Sequence, residues 1–368
     1  MVIGNGAAGR SAAEELVRGG AGRVVLIGRE HPVPISRPGL MYRAMGAMRI
    51  TDLELGVPAG VEAVFGEVVA WSPVQRWVEL ASGRRLAFDH VIWAVGAVAR
   101  RFPGPVTVPV MHLQSLGDAE ALAGAEVRRW AVVGGGLVGA ELAEWGRGRG
   151  AETHWVVREE RLWERWLRRE ESVALEKRVA RHGVRLHLGV ELDALAPVLP
   201  LPGGEVAVDA VGVAIGVAPA GWPGEWAGAW PGVHAVGDAA SWDGAMRAGR
   251  NVALRLTGRP ELPEPVVREE RLRCFDRAVT VLERAQPVAE WGWLDAAQAR
   301  SLRVGTDAAG RWVRVTAMGW KLRANRVAEV LQQGLSSDQI PVHPLFNEPE
   351  GTRLPVDAWS QLQPLPAP

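Results

Sequence analysis

The chain has 368 residues, enough for two or three domains with cores of their own. Its 42 Lys and Arg balance 42 Asp and Glu, so it carries no charge footprint of a nucleic-acid or membrane-surface binder. The single cysteine, Cys274, excludes an intramolecular disulfide and any Cys-x-x-Cys pair, and the longest apolar stretches, Val91–Ala99 and Ala210–Trp222, fall short of the ~20 residues that span a bilayer.

Residues 1–30 read as strand, turn, helix, strand: Val2-Ile3, the glycine-rich Gly4-Asn5-Gly6-Ala7-Ala8-Gly9, a helix through Ser11–Arg18, then Val24–Ile27. With this motif starting at Gly4, no signal peptide is expected ahead of it, and the expected location is cytoplasmic. Residues 61–96 alternate apolar and polar positions around turns at Ser72-Pro73 and Ser82-Gly83, which predicts an inserted meander ending in a buried strand, Val91–Val95. Phe102-Pro103-Gly104-Pro105 marks a boundary.

Residues 130–157 repeat the opening pattern: Trp130–Val133, the turn Gly134-Gly135-Gly136-Leu137-Val138-Gly139, a helix from Leu137 to Trp145, and a strand over Thr153–Val157. A charged helix at about Arg168–His182 and strands near Val184–Leu188 and Val206–Val213 follow. Val233-His234-Ala235-Val236-Gly237-Asp238 then precedes a helix running to about Ala253. Past the proline-rich joint Pro260–Pro265, residues 266–350 read as an α+β module, with strands near Ala278–Glu283 and Arg311–Ala317 and a helix at Arg323–Gln333. The proline-punctuated tail after Leu354 reads as an extended arm.

The glycine turns carry the chemistry. The first glycine permits a tight turn after the strand, the second removes a side chain where a pyrophosphate approaches, and the third lets helix and strand pack closely. The helix N-terminus supplies free N–H groups and the positive dipole end to the phosphates. One such motif is weak evidence; two, each between a strand and a helix, point to a protein that holds two dinucleotides. Glu30, 21 residues after Gly9, fits the acid that accepts ribose hydroxyls. In the second unit that position is Val157. Arg158 comes next and would pair with a 2′-phosphate, favouring NADPH, while Glu159 is the alternative acid for a ribose; the choice between NADH and NADPH stays open.

The stretches Ile3–Leu16, Ile27–Leu40, Val91–Pro103, Ala131–Ala143, Val213–Pro219 and Pro231–Ala239 together resemble the FAD/NAD(P)-dependent pyridine nucleotide–disulfide oxidoreductase superfamily. Within it they are similar to rubredoxin reductases and the flavin module of NAD(P)H nitrite reductase. The resemblance covers roughly residues 1–260. It implies an α/β fold with two Rossmann-like (doubly wound, three-layer) dinucleotide-binding domains and a C-terminal α+β interface domain. The expected boundaries are 1–105 with 232–262 for FAD, 106–231 for NAD(P)H, 263–354 for the C-terminal domain and 355–368 for the tail.

It further implies that Gly4, Gly6, Ala7, Ala8 and Gly9 line the FAD pyrophosphate and that Glu30 takes the adenosine ribose. Arg37 and Pro38 match a segment near the flavin, Ala94 and Gly96 an Ala-Thr-Gly element in which Val95 replaces the threonine, and Gly237 and Asp238 a Gly-Asp pair that holds the ribityl and pyrophosphate region. The helix starting near Trp242 would aim its positive end at the flavin. Gly134, Gly136, Leu137, Val138, Gly139, Arg158 and Gly216 would hold the nicotinamide cofactor. Glu141 matches a glutamate beside the nicotinamide and flavin N5 and, with Arg37, is the expected catalytic residue. The lysine that some members pair with it is absent; Met41, Tyr42 and Arg43 stand there.

Disulfide reductases of this superfamily need a thiol beside the flavin, yet Ser36-Arg37-Pro38-Gly39-Leu40-Met41-Tyr42 holds none, and Cys274 reads as a buried small hydrophobe. The resemblance therefore implies hydride transfer from nicotinamide to FAD, then electron delivery to an iron–sulfur or rubredoxin-type protein or a nitrite reductase partner. Two alternatives are an NAD(P)H oxidase using oxygen and an FAD-binding, redox-responsive interaction protein of apoptosis-inducing-factor type. No metal, nucleic acid or membrane is expected, and a homodimer is left open. Trp320 is a weak candidate for an aromatic over the flavin, with core packing the competing reading.

Overall fold

The computed structural model describes residues 1–221, 232–236, 242–340, 345–346 and 362–366. From the N-terminus run β1 (Val2–Ile3), α1 (Ala7–Arg18), β2 (Val24–Gly28), α2 (Leu40–Ala44), α3 (Ile50–Leu53) and β3 (Val61–Phe65). A meander of β4 (Val68–Ser72), β5 (Trp77–Leu80) and β6 (Arg85–Ala87) leads to β7 (Val91–Trp93) and β8 (Ala97–Ala99). Next come β9 (Val110–Met111), α4 (Leu116–Gly124), β10 (Arg129–Val133), α5 (Leu137–Gly148), β11 (Glu152–Val156), α6 (Arg169–Arg181) and β12 (Val184–His187). The chain continues through β13 (Val198–Leu201), β14 (Gly204–Ala207), β15 (Ala210–Val213), β16 (Val217–Pro219), β17 (Val233–Ala235) and α7 (Trp242–Leu256). It closes with β18 (Arg268–Cys274), β19 (Arg277–Glu283), β20 (Ala289–Asp295), β21 (Arg300–Thr306), β22 (Trp312–Met318), α8 (Ala324–Gln333) and β23 (Gln363–Pro364).

Two units divide these elements. The first comprises Met1–Arg100, His112–Ala125 and Gly216–Pro263. Its parallel sheet has the order β17-β7-β1-β2-β3. On one face Val2, Leu26 and Ile92 pack with Ala12, Ala13 and Leu16 of α1 and Val252 and Ala253 of α7. On the other, Ile3, Val25 and Ile27 pack with Val78, Leu80 and Leu86 of the meander. A sheet covered on both faces needs strands apolar throughout, and all five residues of β2 are buried. α1 and α7 approach closely because Gly249 has no Cβ: one built there would stand 2.0 Å from the Ala8 carbonyl oxygen.

The second unit comprises Arg101–Met111, Glu126–Ile215 and Glu264–Pro368. Its parallel sheet has the order β12-β11-β10-β15-β9. One face packs against α5, where the Trp130 Nε1–H donates to Leu142 O at 3.0 Å. The other meets the β13–β14 hairpin and its flanks, with Leu192, Leu195, Leu199 and Leu201 against Ala131, Val156, Val211 and Val213. Both parallel sheets thus lie between helices and a small antiparallel element. The C-terminal part is an antiparallel sheet ordered β18-β19-β22-β21-β20-β23, with α8 on one face over Leu302, Val304 and Val315.

Several sequence expectations are corrected. Val61–Phe65 belongs not to the meander but to the parallel sheet, paired with β2. Val206–Val213 is two strands: β14 returns along β13, and β15 joins β10. Between them Asp209 turns the chain, its Oδ2 accepting the N–H groups of Arg128 and Arg129 at 3.0 and 2.8 Å. The C-terminal module holds five long strands where two were read, and part of the tail pairs as β23 with β20. Segment His112–Ala125, read as part of the nicotinamide domain, falls in the first unit with α2, to which the Arg43–Glu120 pair ties it. Gly216–Pro219, also read into that domain, falls there too because β16 pairs with β8. The C-terminal sheet shares a unit with the nicotinamide-type sheet, joined by ion pairs such as Arg168–Glu290 at 2.7 Å and Arg273–Glu144 at 2.9 Å.

Candidate functional site

In the first unit, the Gly4 N–H donates to Ile27 O at 2.8 Å while φ is +99°, a left-handed value that favours glycine. A Cβ on Gly4 would lie 2.2 Å from Ala94 O, and one on Gly9 only 1.8 Å from Gly4 O. Gly6 differs: a Cβ there would meet nothing within 4 Å. Gly6 is also the N-cap of α1 and offers no side-chain cap, so the first-turn N–H groups of Ala7 and Ala8 gain no capping partner from it. A tight turn, a bare Cβ position and an uncapped helix N-terminus form a cradle for a pyrophosphate.

The second unit repeats the arrangement. Gly134 has φ +122° and a Cβ site 2.2 Å from Ala214 O; a Cβ on Gly139 would lie 2.0 Å from Gly134 O. Gly136, the N-cap of α5, has nothing within 4 Å of its Cβ site and no side-chain cap. Leu137 and Val138 form the first turn of α5. The strand beside each glycine turn is followed by Ala-x-Gly: Ala94 and Gly96 after β7, Ala214 and Gly216 after β15. Gly96 and Gly216 have φ of +71° and +96°. Gly216 lies on the β8–β16 ribbon, its carbonyl accepting the Arg100 N–H at 3.0 Å.

Glu30 follows β2, and its carboxylate is held from two sides. Arg37 Nη2 donates to Oε2 at 2.6 Å, and the Leu116 N–H donates to Oε1. Arg37 Nη1 also donates to Gln114 O, and Pro38 occupies the exposed turn that carries the arginine. Arg43 does not stand in for the missing lysine: its Nε and Nη2 are committed to the Glu120 carboxylate at 2.8 and 3.0 Å. Gly237 and Asp238 lie outside the described residues. In the second unit Val157 is buried, whereas Glu159 Oε2 lies 3.1 Å from the Cβ site of Gly135, against the glycine turn. Arg158 is largely exposed, its Nη2 3.7 Å from Glu159 Oε1.

Glu141 is on the first turns of α5, without a hydrogen bond or ion pair among the described residues. Burial pushes its carboxyl up to about 7, against the attraction of Arg273 and with the repulsion of Glu144. Cys274 is buried and its thiol is pushed far above the ordinary range by desolvation, which makes it a poor nucleophile. Trp320 packs in the C-terminal core beside Trp293, ring centroids 6.0 Å apart.

Sequence reading missed two supports. The Asn5 side chain fills the space beside Gly28 and donates from Nδ2 to His31 O at 2.8 Å, tying the glycine turn to the segment that carries Glu30. Its place inside the glycine motif was the available signal. The α4 segment, which supplies Gln114 and Leu116, lies far along the chain and gave none.

Two parallel sheets, each with an open glycine cradle, define a protein built for two dinucleotides. Residues 1–221 match the family Pyridine nucleotide-disulphide oxidoreductase, and the chain belongs to it. That family uses FAD and NAD(P)H, and the two cradles fit such groups. Among curated proteins, the chain is 29% identical over 198 residues to the benzene 1,2-dioxygenase system ferredoxin–NAD(+) reductase subunit of Pseudomonas putida, covering 51% of this chain and 48% of that one. It is 28% identical over 282 residues to the ferredoxin reductase component of chlorobenzene dioxygenase from a Cupriavidus species, covering 67% and 69%. The match thus spans about half the length of the first of these relatives. A ferredoxin reductase structure from Rhodopseudomonas palustris shares the fold, with a TM-score of 0.76 at 22% identity over 93% of this chain and 97% of that one. Among the described residues no helix is long and apolar enough to cross a membrane.

Proposed function

We propose that the chain is a cytoplasmic FAD-dependent NAD(P)H oxidoreductase that passes electrons to a small iron–sulfur or rubredoxin-type protein, or to a nitrite reductase partner, without a thiol relay. The observation that carries this reading is the pair of glycine cradles, in which Gly6 and Gly136 leave their Cβ positions open while their neighbours are closed by packing. The relatives named above are reductase components of dioxygenase systems, which supports an iron–sulfur acceptor. When bound, the two groups supply hydride transfer from the nicotinamide to the flavin and onward electron transfer.

The chain's own residues position and exclude. Gly4, Gly6, Ala7, Ala8 and Gly9 receive the FAD pyrophosphate, Glu30 its ribose, and Gly134, Gly136, Leu137, Val138 and Gly139 the second pyrophosphate. Glu141 keeps its proton to near neutral pH and would present an uncharged carboxyl to the bound nicotinamide and flavin. The only cysteine, Cys274, is buried and its thiol held protonated, which supports transfer without sulfur.

The seating of Glu159 against Gly135 favours NADH, because a carboxylate there accepts ribose hydroxyls and repels a 2′-phosphate. Steady-state turnover with each cofactor checks this: kcat/KM is expected to be higher for NADH, and Glu159→Gln is expected to narrow the gap. An NADPH preference would give Arg158 the deciding role. Turnover in air with and without added ferredoxin or rubredoxin tests the acceptor; full-rate oxygen consumption without either protein would replace this reading by an oxidase.

A further inference from the structure

The carboxylate of Glu30 does two jobs at once. In the reading above it receives a ribose, on the segment that Asn5 ties to the glycine turn, and it accepts the backbone N–H of Leu116, the first residue of α4. Three other donors at that end of the helix are satisfied locally: Asp118 accepts from Gln114 N and Ser115 N at 2.9 and 2.8 Å, and the Asp118 N–H donates to Ser115 Oγ at 3.1 Å. Leu116 alone of these reaches across the chain, over 86 positions. Arg37 closes the ring, bridging Glu30 Oε2 and the Gln114 carbonyl, while Gln114 Nε2 donates to Ala97 O at 3.2 Å, next to Gly96.

We propose that Glu30 and Arg37 form a clasp that fastens the Gln114–Leu116 end of α4 over the ribose end of the first dinucleotide site, so that cofactor release and opening of this segment are one event. The inference rests on the FAD reading above and assigns Arg37 as a positioning residue acting through Glu30. A ribose hydroxyl bound to Glu30 adds a third donor to a carboxylate with about four lone-pair positions. Nucleotide and clasp therefore hold the same side chain in place, each reinforcing the other.

The test is the rate at which FAD leaves the holoprotein, followed by the fluorescence of the freed flavin. Leu116→Pro removes one N–H at a position where proline suits a helix, after a Ser115 whose φ of −121° and ψ of 166° already suit a pre-proline residue. Leu116→Pro and Arg37→Met are each expected to speed release about tenfold or more. Arg43→Met cuts the other tether of α4, the pair with Glu120, and is expected to leave release within about twofold of wild type. Wild-type release rates in both clasp variants, or equal acceleration in all three, would overturn the clasp. A wild-type protein that binds no FAD would overturn the functional reading first and the clasp with it.

Discussion

Gly6 and Gly9 stand three positions apart in one motif and answer to different constraints. Gly9 is fixed by packing, with a Cβ site 1.8 Å from a backbone oxygen, so Gly9→Ala is expected to destabilise the fold by ~3 kcal/mol. Gly6 faces open space, so Gly6→Ala is expected to fold with near-normal stability and lose FAD. Urea unfolding of the apoproteins together with flavin content separates the two outcomes. Both glycines, and the division of labour between them, were legible in the spacing of the motif; the neighbour that closes the Gly9 site was not, because the Gly4 carbonyl reaches it only when the turn folds.

Glu141 carries a pH signature. Its carboxyl lies near 7 in the folded chain, against 4.5 as the ordinary value, so between those pH values the native state holds a proton that the unfolded state has lost. Stability from this group is therefore full below 4.5 and falls as pH rises to 7, by at most ~3 kcal/mol. Glu141→Gln is expected to remove that slope, leaving the variant more stable than wild type at pH 8 and closest to it below pH 5. Denaturation midpoints at the two pH values check it. The sequence marked Glu141 through its place after the second glycine turn, whereas the burial that keeps it protonated came only with the packing of α5 against β18.

At the scale of elements, the sequence was clearest where strands are apolar throughout. β1, β2 and β10 were read within a residue of their bounds, while α1 starts four residues before the helix that was read and α5 ends three after it. Val61–Phe65 was misread because β3 is the edge of its sheet and four of its five residues are not buried, so it lacks the continuous apolar run of a central strand. Of the C-terminal strands, β18 and β21 were missed because charge breaks their patterns: β18 reads Arg-Glu-Glu-Arg-Leu-Arg-Cys, and β21 buries Arg303. That burial is tolerated because Arg303 pairs with Glu290 at 2.8 Å and Glu171 at 3.4 Å, both carboxylates buried, and donates to Trp166 O at 2.7 Å. Arg303→Met strips a partner from each buried carboxylate and is expected to cost about 3–5 kcal/mol in urea unfolding. A loss under about 1 kcal/mol would mean the cluster is screened by solvent.

At the scale of the whole chain, one local device is used twice: strand, glycine turn, uncapped helix, and a neighbouring strand followed by Ala-x-Gly. The sequence showed the duplicated glycine turns, and the family match spans both of them. Chain order hid the regrouping, since residues 112–125 join the first unit although the stretches on either side of them belong to the second. The central claim is that two dinucleotides pass electrons here without sulfur. Anaerobic stopped-flow mixing of the flavin-loaded protein with NADH, then with oxidised ferredoxin, tests it most directly. The flavin absorbance is expected to bleach with NADH and recover with ferredoxin, at the same rates in wild type and Cys274→Ser. A flavin that neither NADH nor NADPH bleaches, or a Cys274→Ser variant that bleaches and cannot be reoxidised, would contradict the account.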